Sequence, residues 1–175
     1  TFQNFEILIV DNNSRDGSIE VMEVANPDVS IVRNSANLGF VGGANVALRY
    51  GLRQGHNYFW LLNYDTNLEP GTLAALVELA EGDSTVGAVS PVIFIADHPE
   101  QIQFCGTWAD AYELRFRNAA DLIELDAHQS SCGHDLLLWG TALLLRREAV
   151  QAAGLLDERY FAYYEDMDLT DRILQ

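Results

Sequence analysis

Phe59-Trp60-Leu61-Leu62-Asn63-Tyr64-Asp65-Thr66 begins as a buried strand and ends as a polar turn. The apolar and aromatic residues 58–62 read as a strand covered on both faces, as in parallel sheets. The apolar run stops at Asn63 and Asp65. Residues two apart on an extended segment point the same way, so an amide and a carboxylate project together from the carboxyl end of a core strand. Open α/β sheets bind ligands at that end of their strands. A carboxylate there suits a hard divalent cation that phosphate oxygens also hold. The same residues also suit an ordinary strand-to-helix turn in which Asp65 or Thr66 caps the next helix, and on the octet alone that plainer reading comes first.

Outward from this strand the same unit recurs. Residues 5–10, FEILIV, form a short apolar run, and Asp11-Asn12-Asn13-Ser14-Arg15-Asp16-Gly17-Ser18 comes directly after it. Asn, Asp, Ser and Gly favour turns because they satisfy backbone groups locally or accept positive φ. Ser18 predicts an N-cap for a helix over 19–25, which Pro27 ends. A strand over 29–32 and a loop over 34–43 come next. Gly39, Gly42 and Gly43 open a helix that runs to about residue 54, with Gly55 at its C′ position. After the central strand, Pro70 starts a helix with apolar residues at helical spacing, which Gly82 ends. A strand over 86–95, bent at Pro91, completes a β-α-β-α-β-α-β pattern. That pattern predicts an α/β fold with a mostly parallel, doubly wound sheet.

From Asp97 the patterning weakens. Residues 102–104, 111–116 and 122–125 suggest short antiparallel strands and loops. Residues 136–145 are apolar around Trp139-Gly140 and read as buried strand. A helix over 147–153 closes at Gly154. The aromatic-rich stretch 160–164 leads into Glu165-Asp166-Met167-Asp168, whose acidic residues suit a helix N-terminus.

Composition sets limits. The 175 residues are 49% hydrophobic, enough for one domain with a sizeable core. All ten basic residues are Arg and the formal net charge is −16. The charge argues against a nucleic-acid partner, because phosphate backbones need a basic stripe. Any phosphate-bearing ligand would need a metal ion or a few local Arg residues to offset repulsion. Cys105 and Cys132 are too few for a disulfide scaffold. No apolar run approaches a membrane span. His98, His128 and His134 lack metal-ligand spacing.

Four segments thus put polar groups at strand ends: Asp11-Asn12-Asn13-Ser14-x-Asp16-Gly17-Ser18, Asn37-x-Gly39-Phe40-x-Gly42-Gly43-x-Asn45, Asn63-x-Asp65-Thr66, and Glu165-Asp166-x-Asp168-Leu169-x-x-Arg172. With Gly140-Thr141-Ala142-x-Leu144-x-Arg146-Arg147 before the last, their order resembles family 2 glycosyltransferases of the GT-A fold, rhamnosyltransferase-like members above all. The resemblance implies a Rossmann-like, mostly parallel sheet flanked by helices, with a small antiparallel C-terminal part. It implies one catalytic domain over 1–175, with a nucleotide-binding half (1–96) and an acceptor and catalytic half (97–175).

The implied reaction is inverting transfer of a sugar from a nucleotide-diphosphate donor to an acceptor hydroxyl, in cell-surface polysaccharide or glycolipid synthesis. Asp11 would hydrogen-bond the nucleotide base. Asn13, Gly39, Asn45 and Asn63 would line the same donor site. Asp65, second in a D-x-D-like pair whose first position is Asn63, would hold Mg²⁺ or Mn²⁺ against the diphosphate. Asp166 would act as general base, with Glu165 beside it. The acceptor would be a glycan or lipid-linked glycan, and rhamnose from a thymidine nucleotide is the family-level expectation for the donor. The implied location is cytoplasmic or peripheral at the inner face of the membrane, with membrane contact only through segments absent from this chain.

The chain departs from the family's pattern in starting one strand and one helix late. Loss of that strand predicts an unpaired edge on the strand near residues 6–10. It also predicts that the chain by itself is inactive or nearly so, and Asn63 predicts weakened metal affinity. A different class of function uses the same fold: a non-catalytic nucleotide-sugar or glycan-binding module. Asp166 separates the two, because a binder does not need it. Plainer roles also fit several residues: Asp16 as a turn former, Asp168 and Arg172 as an ion pair, Arg146 and Arg147 as solvated charges, and Trp139 as core packing, whereas Trp108 also suits stacking on a sugar ring.

Overall fold

A computed structural model describes residues 2–110, 112–113, 115–132 and 135–175. The chain runs β1 (Leu8–Asp11), α1 (Ser18–Ala25), β2 (Ser30–Arg33), α2 (Gly39–Gln54), β3 (Tyr58–Leu62), α3 (Thr72–Gly82) and β4 (Ala88–Val89). Then come β5 (Ile93–Ile95), β6 (His98–Phe104), β7 (Thr107–Asp110), β8 (Arg115–Asn118), α4 (Leu122–Cys132), β9 (Ala142–Arg146), α5 (Arg147–Ala153) and α6 (Glu165–Leu174).

The α/β architecture agrees with the sequence, but the pairing corrects one expectation. β1 and β2 pair in parallel. In the core sheet β9 lies between β3 and β4 and runs antiparallel to both, with Trp60 and Val89 each opposite Leu144. The sheet is therefore not mostly parallel in its pairings, because a late strand inserts between two early ones. Pro91 does more than bend a strand: it separates β4 from β5, which belong to different sheets. Of residues 136–145 only the second half is strand, and Leu137 makes a single bridge to Thr107. The piece expected over 111–116 includes Ala111 and Leu114, which lie outside the described residues.

Strand alternation builds two covered faces. Phe59, Leu61, Leu143 and Leu145 pack with Val41 and Leu48 of α2, Val150 of α5 and Leu169 of α6. Leu144 and Val89 pack on the other face with Leu76 and Ala80 of α3. Helices on both faces explain why β9 reads as an unbroken apolar run. Arg146 and Arg147, expected to be solvated, instead clamp helix ends. Arg147 donates to the Leu52 and His56 carbonyls at the end of α2, at 2.6 and 3.2 Å. Arg146 donates to the carbonyls of Val86 (2.8 Å), Asp83 (3.2 Å) and Ala80 just past and within the last turn of α3. Helix C-terminal carbonyls have no intrahelical partner and carry partial negative charge, so a guanidinium fork both bonds and neutralises them.

Between β1 and β3 the sheet is interrupted. Among the described residues no strand pairs with the facing edge of either. A cavity of about 120 Å³ lies there, lined by Glu6 and Leu8 on one side, Tyr58, Trp60 and Leu61 on the other, and Leu48 and Gly51 of α2 beneath. The buried Trp60 indole N–H has no hydrogen-bond partner among the described residues. The unpaired edge anticipated beside residues 6–10 is present in this form.

Candidate functional site

Asp11 ends β1 and is buried. The Ser14 hydroxyl, and after it the Ser14 backbone N–H that donates to the Asp11 carboxylate at 3.0 Å, hold the carboxyl below the ordinary carboxylate pKa. Asn12, adjacent in the turn, ties three segments together. Its amide donates to the Gly39 carbonyl (2.8 Å) and accepts from the Asn34 amide (2.9 Å). Asn13 takes a left-handed conformation (φ 66°), which asparagine tolerates better than most residues. Asp16 accepts from the Ser18 N–H and hydroxyl and so builds the turn.

Gly39 opens α2 with φ 71°, and a Cβ there would sit 2.4 Å from the Phe161 carbonyl oxygen. Only glycine admits this contact, which brings the segment before α6 onto the N-terminus of α2. That segment, residues 155–164, is strapped down along its length. The side chain of Asn45, fully buried on α2, donates to the Leu156 carbonyl (2.9 Å) and accepts from the Leu156 N–H (3.0 Å). Glu158 pairs with Arg49 at 2.6 Å, and Asp157 with Arg159 at 2.5 Å, which draws the Asp157 pKa down to about 2. The Asn45 amide, expected in the donor pocket, is thus engaged with this strap.

The strap ends in Tyr163 and Tyr164, both left-handed at φ 73° and 69°. Non-glycine residues held in this region each cost about 1–3 kcal/mol, which persists where the surroundings over-determine the backbone. α6 starts immediately afterwards. Asp166 accepts the Gly140 N–H at 2.7 Å with one carboxylate oxygen and the Met167 N–H at 2.8 Å with the other. Gly140 fits between Phe40 of α2 and Asp166, whose nearest atoms lie 3.2 and 3.4 Å from where a Cβ would be. Thr141, next in chain, accepts the Asn63 N–H at 3.0 Å through its carbonyl, which ties the end of β3 to the start of β9.

These contacts bring together the ends of β1 and β3, the start of β9, and the N-termini of α2 and α6. Both helix N-termini carry the partial positive charge that favours anionic groups. Asp65 is exposed, and among the described residues its carboxylate has no hydrogen bond or ion pair. No three His, Cys, Asp or Glu side chains among those residues form a metal-holding group. One open carboxylate at a strand end fits a Mg²⁺- or Mn²⁺-type cation that keeps water and takes its other ligands from phosphate, and does not fit an all-protein cage.

Glu165 differs from its neighbour. It is 4% exposed, one carboxylate oxygen has no partner among the described residues, and burial pushes its pKa up, with the Asp166 charge adding to the effect. Its side chain is therefore shielded from solvent. Asp168 and Arg172 do form the expected i,i+4 ion pair at 2.7 Å, and Arg172 also reaches the Leu155 carbonyl at 3.0 Å and that of Ala153. Trp108 is buried and stacks on His128, so its indole is closed to a sugar, and half-buried Trp139 stacks one face on buried Phe104. His98 is exposed, and His134 lies outside the described residues.

Sequence reasoning placed Asp11, Asn63 and Asp65 at strand ends and Gly39 and Asp166 at helix starts, and the family resemblance gave them their expected roles. It missed Asn12 as the tie between turns and the strap as an element. The Asn12-Asn13 doublet was visible, but its partner Gly39 is 27 residues away, and nothing local marks that pairing.

The sequence model of Glycosyl transferase family 2 matches residues 1–152. The chain is 28% identical over 195 residues to an N-acetylglucosaminyl-diphospho-decaprenol L-rhamnosyltransferase of Mycobacterium tuberculosis, covering 95% of this chain and 60% of that protein. It is 26% identical over 176 residues to galactofuranosyltransferase GlfT1 of the same organism, covering 97% and 55%. The chain therefore spans somewhat more than half the length of these relatives. Among solved structures it is similar to GalNAc-T7 with UDP, GalNAc and Mn²⁺ (TM-score 0.69, 15% identity, 96% of this chain and 34% of that one). It is also similar to mannosyltransferase PcManGT from Pyrobaculum calidifontis in complex with GDP-Man and Mn²⁺ (TM-score 0.63, 20% identity, 96% and 42%). At these identities the structural likeness is one of fold.

Proposed function

The chain belongs to the family 2 glycosyltransferases and has the GT-A fold, and from that premise we propose that the protein transfers a sugar from a nucleotide-diphosphate donor to a glycan or lipid-linked acceptor, inverting the anomeric carbon, in cell-surface polysaccharide or glycolipid synthesis. The observation that carries this reading is Asp166. Its carboxylate is fixed by the Gly140 N–H at the junction where the end of β3 and the start of β9 meet α2.

In the proposed reaction the acceptor oxygen attacks the anomeric carbon on the face opposite the leaving group. The bond from that carbon to the diphosphate oxygen breaks, the diphosphate leaves with the electron pair, and the hydroxyl proton passes to Asp166. A hydroxyl is a weak nucleophile, and a positioned base supplies about 10²–10⁴ in rate. Each Asp166 oxygen accepts one backbone N–H and keeps a second lone-pair direction for that proton. These two bonds orient the base before substrate arrives. Glu165, buried at the start of α6, is not proposed to touch substrate.

On the donor side, Asp11 and Asn13 receive the nucleoside at the end of β1, and Asn12 holds the Gly39 turn against that site. Asn63 and Asp65 face the diphosphate. Asp65 would hold Mg²⁺ or Mn²⁺, which when bound supplies charge neutralisation for the leaving group. That cation answers the repulsion set by a net charge of −16. The two relatives are named for different sugars, L-rhamnose and galactofuranose, so the donor panel should include both.

The test is nucleoside-diphosphate release from that panel by the whole gene product, the parent for this assay, in the presence of a lipid-linked glycan acceptor. Asp166→Asn should lower kcat by about 10²–10⁴ and leave donor binding intact. A variant with kcat within about twofold of the parent would rule out Asp166 as the base. Donor binding without any transfer by the parent would favour the non-catalytic binding module.

A further inference from the structure

Two aromatic rings meet at the entrance to α6 without being buried there. Phe116 of β8 and Tyr164 at the N-cap of α6 have ring centroids 6.1 Å apart and tilted by 31°. Phe116 remains 48% exposed and Tyr164 59%. Large apolar rings left this open beside a functional centre mark a binding surface better than a scattered exposed residue does.

Strand alternation aims the pair. Arg115, Phe116 and Arg117 are consecutive on β8, so Phe116 points to the opposite face from the two arginines. Those arginines are already paired: Arg115 with Glu113, and Arg117 with Asp110 (3.6 Å) and Glu124 (3.5 Å). The Phe116 face is left uncharged and turned toward Tyr164. Tyr164 is itself held, since its left-handed backbone continues the strap anchored by Asn45 and Glu158, and its carbonyl accepts the Asp168 N–H at 3.0 Å. Asp166 comes two residues later.

We propose that Phe116 and Tyr164 form a stacking platform for the acceptor's terminal pyranose ring and present its hydroxyl to Asp166. A pyranose face of axial C–H groups is apolar and weakly positive, and it complements the negative face of an aromatic ring. A neutral ring also avoids the repulsion that this acidic chain would exert on an anionic one. The assignment rests on the transferase reading for its biological meaning and deepens it by naming the acceptor-side residues and the chemical class they take.

The experiment is saturation-transfer NMR of the protein with methyl β-D-glucopyranoside, methyl N-acetyl-β-D-glucosaminide, methyl β-D-galactopyranoside and methyl α-L-rhamnopyranoside, with sorbitol as the acyclic comparison. At least one pyranoside should bind and sorbitol should not. Tyr164→Ala and Phe116→Ala should each weaken that binding about five- to tenfold, and Tyr164→Phe should retain it. Both side chains are half exposed, so the variants should fold, and circular dichroism checks this. No pyranoside binding by the parent, or binding unchanged in both alanine variants, would overturn the platform. Nucleoside-diphosphate titration with Mn²⁺ on the same samples reads the donor side separately. Nucleotide binding with no pyranoside binding removes the platform alone. Pyranoside binding that depends on the platform, without nucleotide binding, supports the platform and removes the proposed donor reaction.

Discussion

β9 and β1 are similar as sequence and different as structure. β9 is Ala142-Leu143-Leu144-Leu145-Arg146, and its four apolar residues are 0–2% exposed. β1 is Leu8-Ile9-Val10-Asp11, and its three apolar residues are only half-buried. β9 has a strand on each edge and helices on both faces, whereas β1 has β2 on one edge and the cavity beside β3 on the other. Exposed apolar side chains gather on the same unit: Phe5, Ile7, Val21 and Val24. The total accessible surface of 11,093 Å² exceeds the roughly 8,500 Å² that size scaling gives for a 19.5 kDa chain. An apolar run thus states what a strand is made for, and its neighbours decide whether that burial is reached. Chemistry divides the same way: Asp166 is built on the packed side, and Asp11 stands at the end of the half-open one.

The comparison predicts unequal costs of truncation. Leu143→Ala should lower stability by about 2–5 kcal/mol in urea unfolding, because β9 is enclosed and collapses poorly around a void. Ile9→Ala should cost about 1 kcal/mol, since part of that side chain already meets solvent. Equal losses would break the comparison. Asn45→Ala comes next. It leaves the buried N–H and C=O of Leu156 unpaired and should cost about 1–3 kcal/mol in the same assay, together with earlier proteolysis within residues 155–164. Arg147→Ala removes two bonds to the end of α2 and should cost about 1–2 kcal/mol, more than the loss of an exposed arginine such as Arg115.

The smallest effect is a pH dependence. Burial raises the Glu165 pKa above its ordinary 4.5, so over a window that opens there the folded chain keeps a proton the unfolded chain has released. Stability from this group is complete below 4.5 and falls as pH rises through the folded value. Glu165→Gln cannot ionise. Its stability relative to the parent should therefore rise with pH above that point and show no such trend below it. A flat difference across the range would mean that Glu165 is not desolvated.

Much of this was legible before any coordinates. The change from apolar to polar residues at Asp11, Asn63 and Asp65, and from aromatic to acidic at Glu165-Asp166, marks strand and helix ends because burial stops there. Residues 98–132 were not legible for a physical reason. β6 has five exposed residues in seven, and α4 has no buried residue at all, so neither carries a periodic stripe. One signal was available: Asp121-x-x-Glu124, whose Asp accepts the Glu124 N–H and whose Glu reaches back to the Ala120 N–H, both at 2.8 Å. The helix was missed because its capping, not its apolar pattern, defines it. The place of β9 between β3 and β4 was illegible for another reason, since edge pairing leaves no mark within a strand.

The central claim is that the strand ends form a metal-dependent nucleotide site. Calorimetric titration of uridine, guanosine, thymidine and cytidine diphosphates, with and without Mn²⁺, tests it directly on the parent, Asp65→Ala and Asp11→Ala. The account predicts that one nucleotide binds the parent more tightly with Mn²⁺, that Asp65→Ala abolishes the metal dependence, and that Asp11→Ala weakens binding whether or not metal is present. Binding by none of the four, or a metal dependence that survives Asp65→Ala, would contradict it.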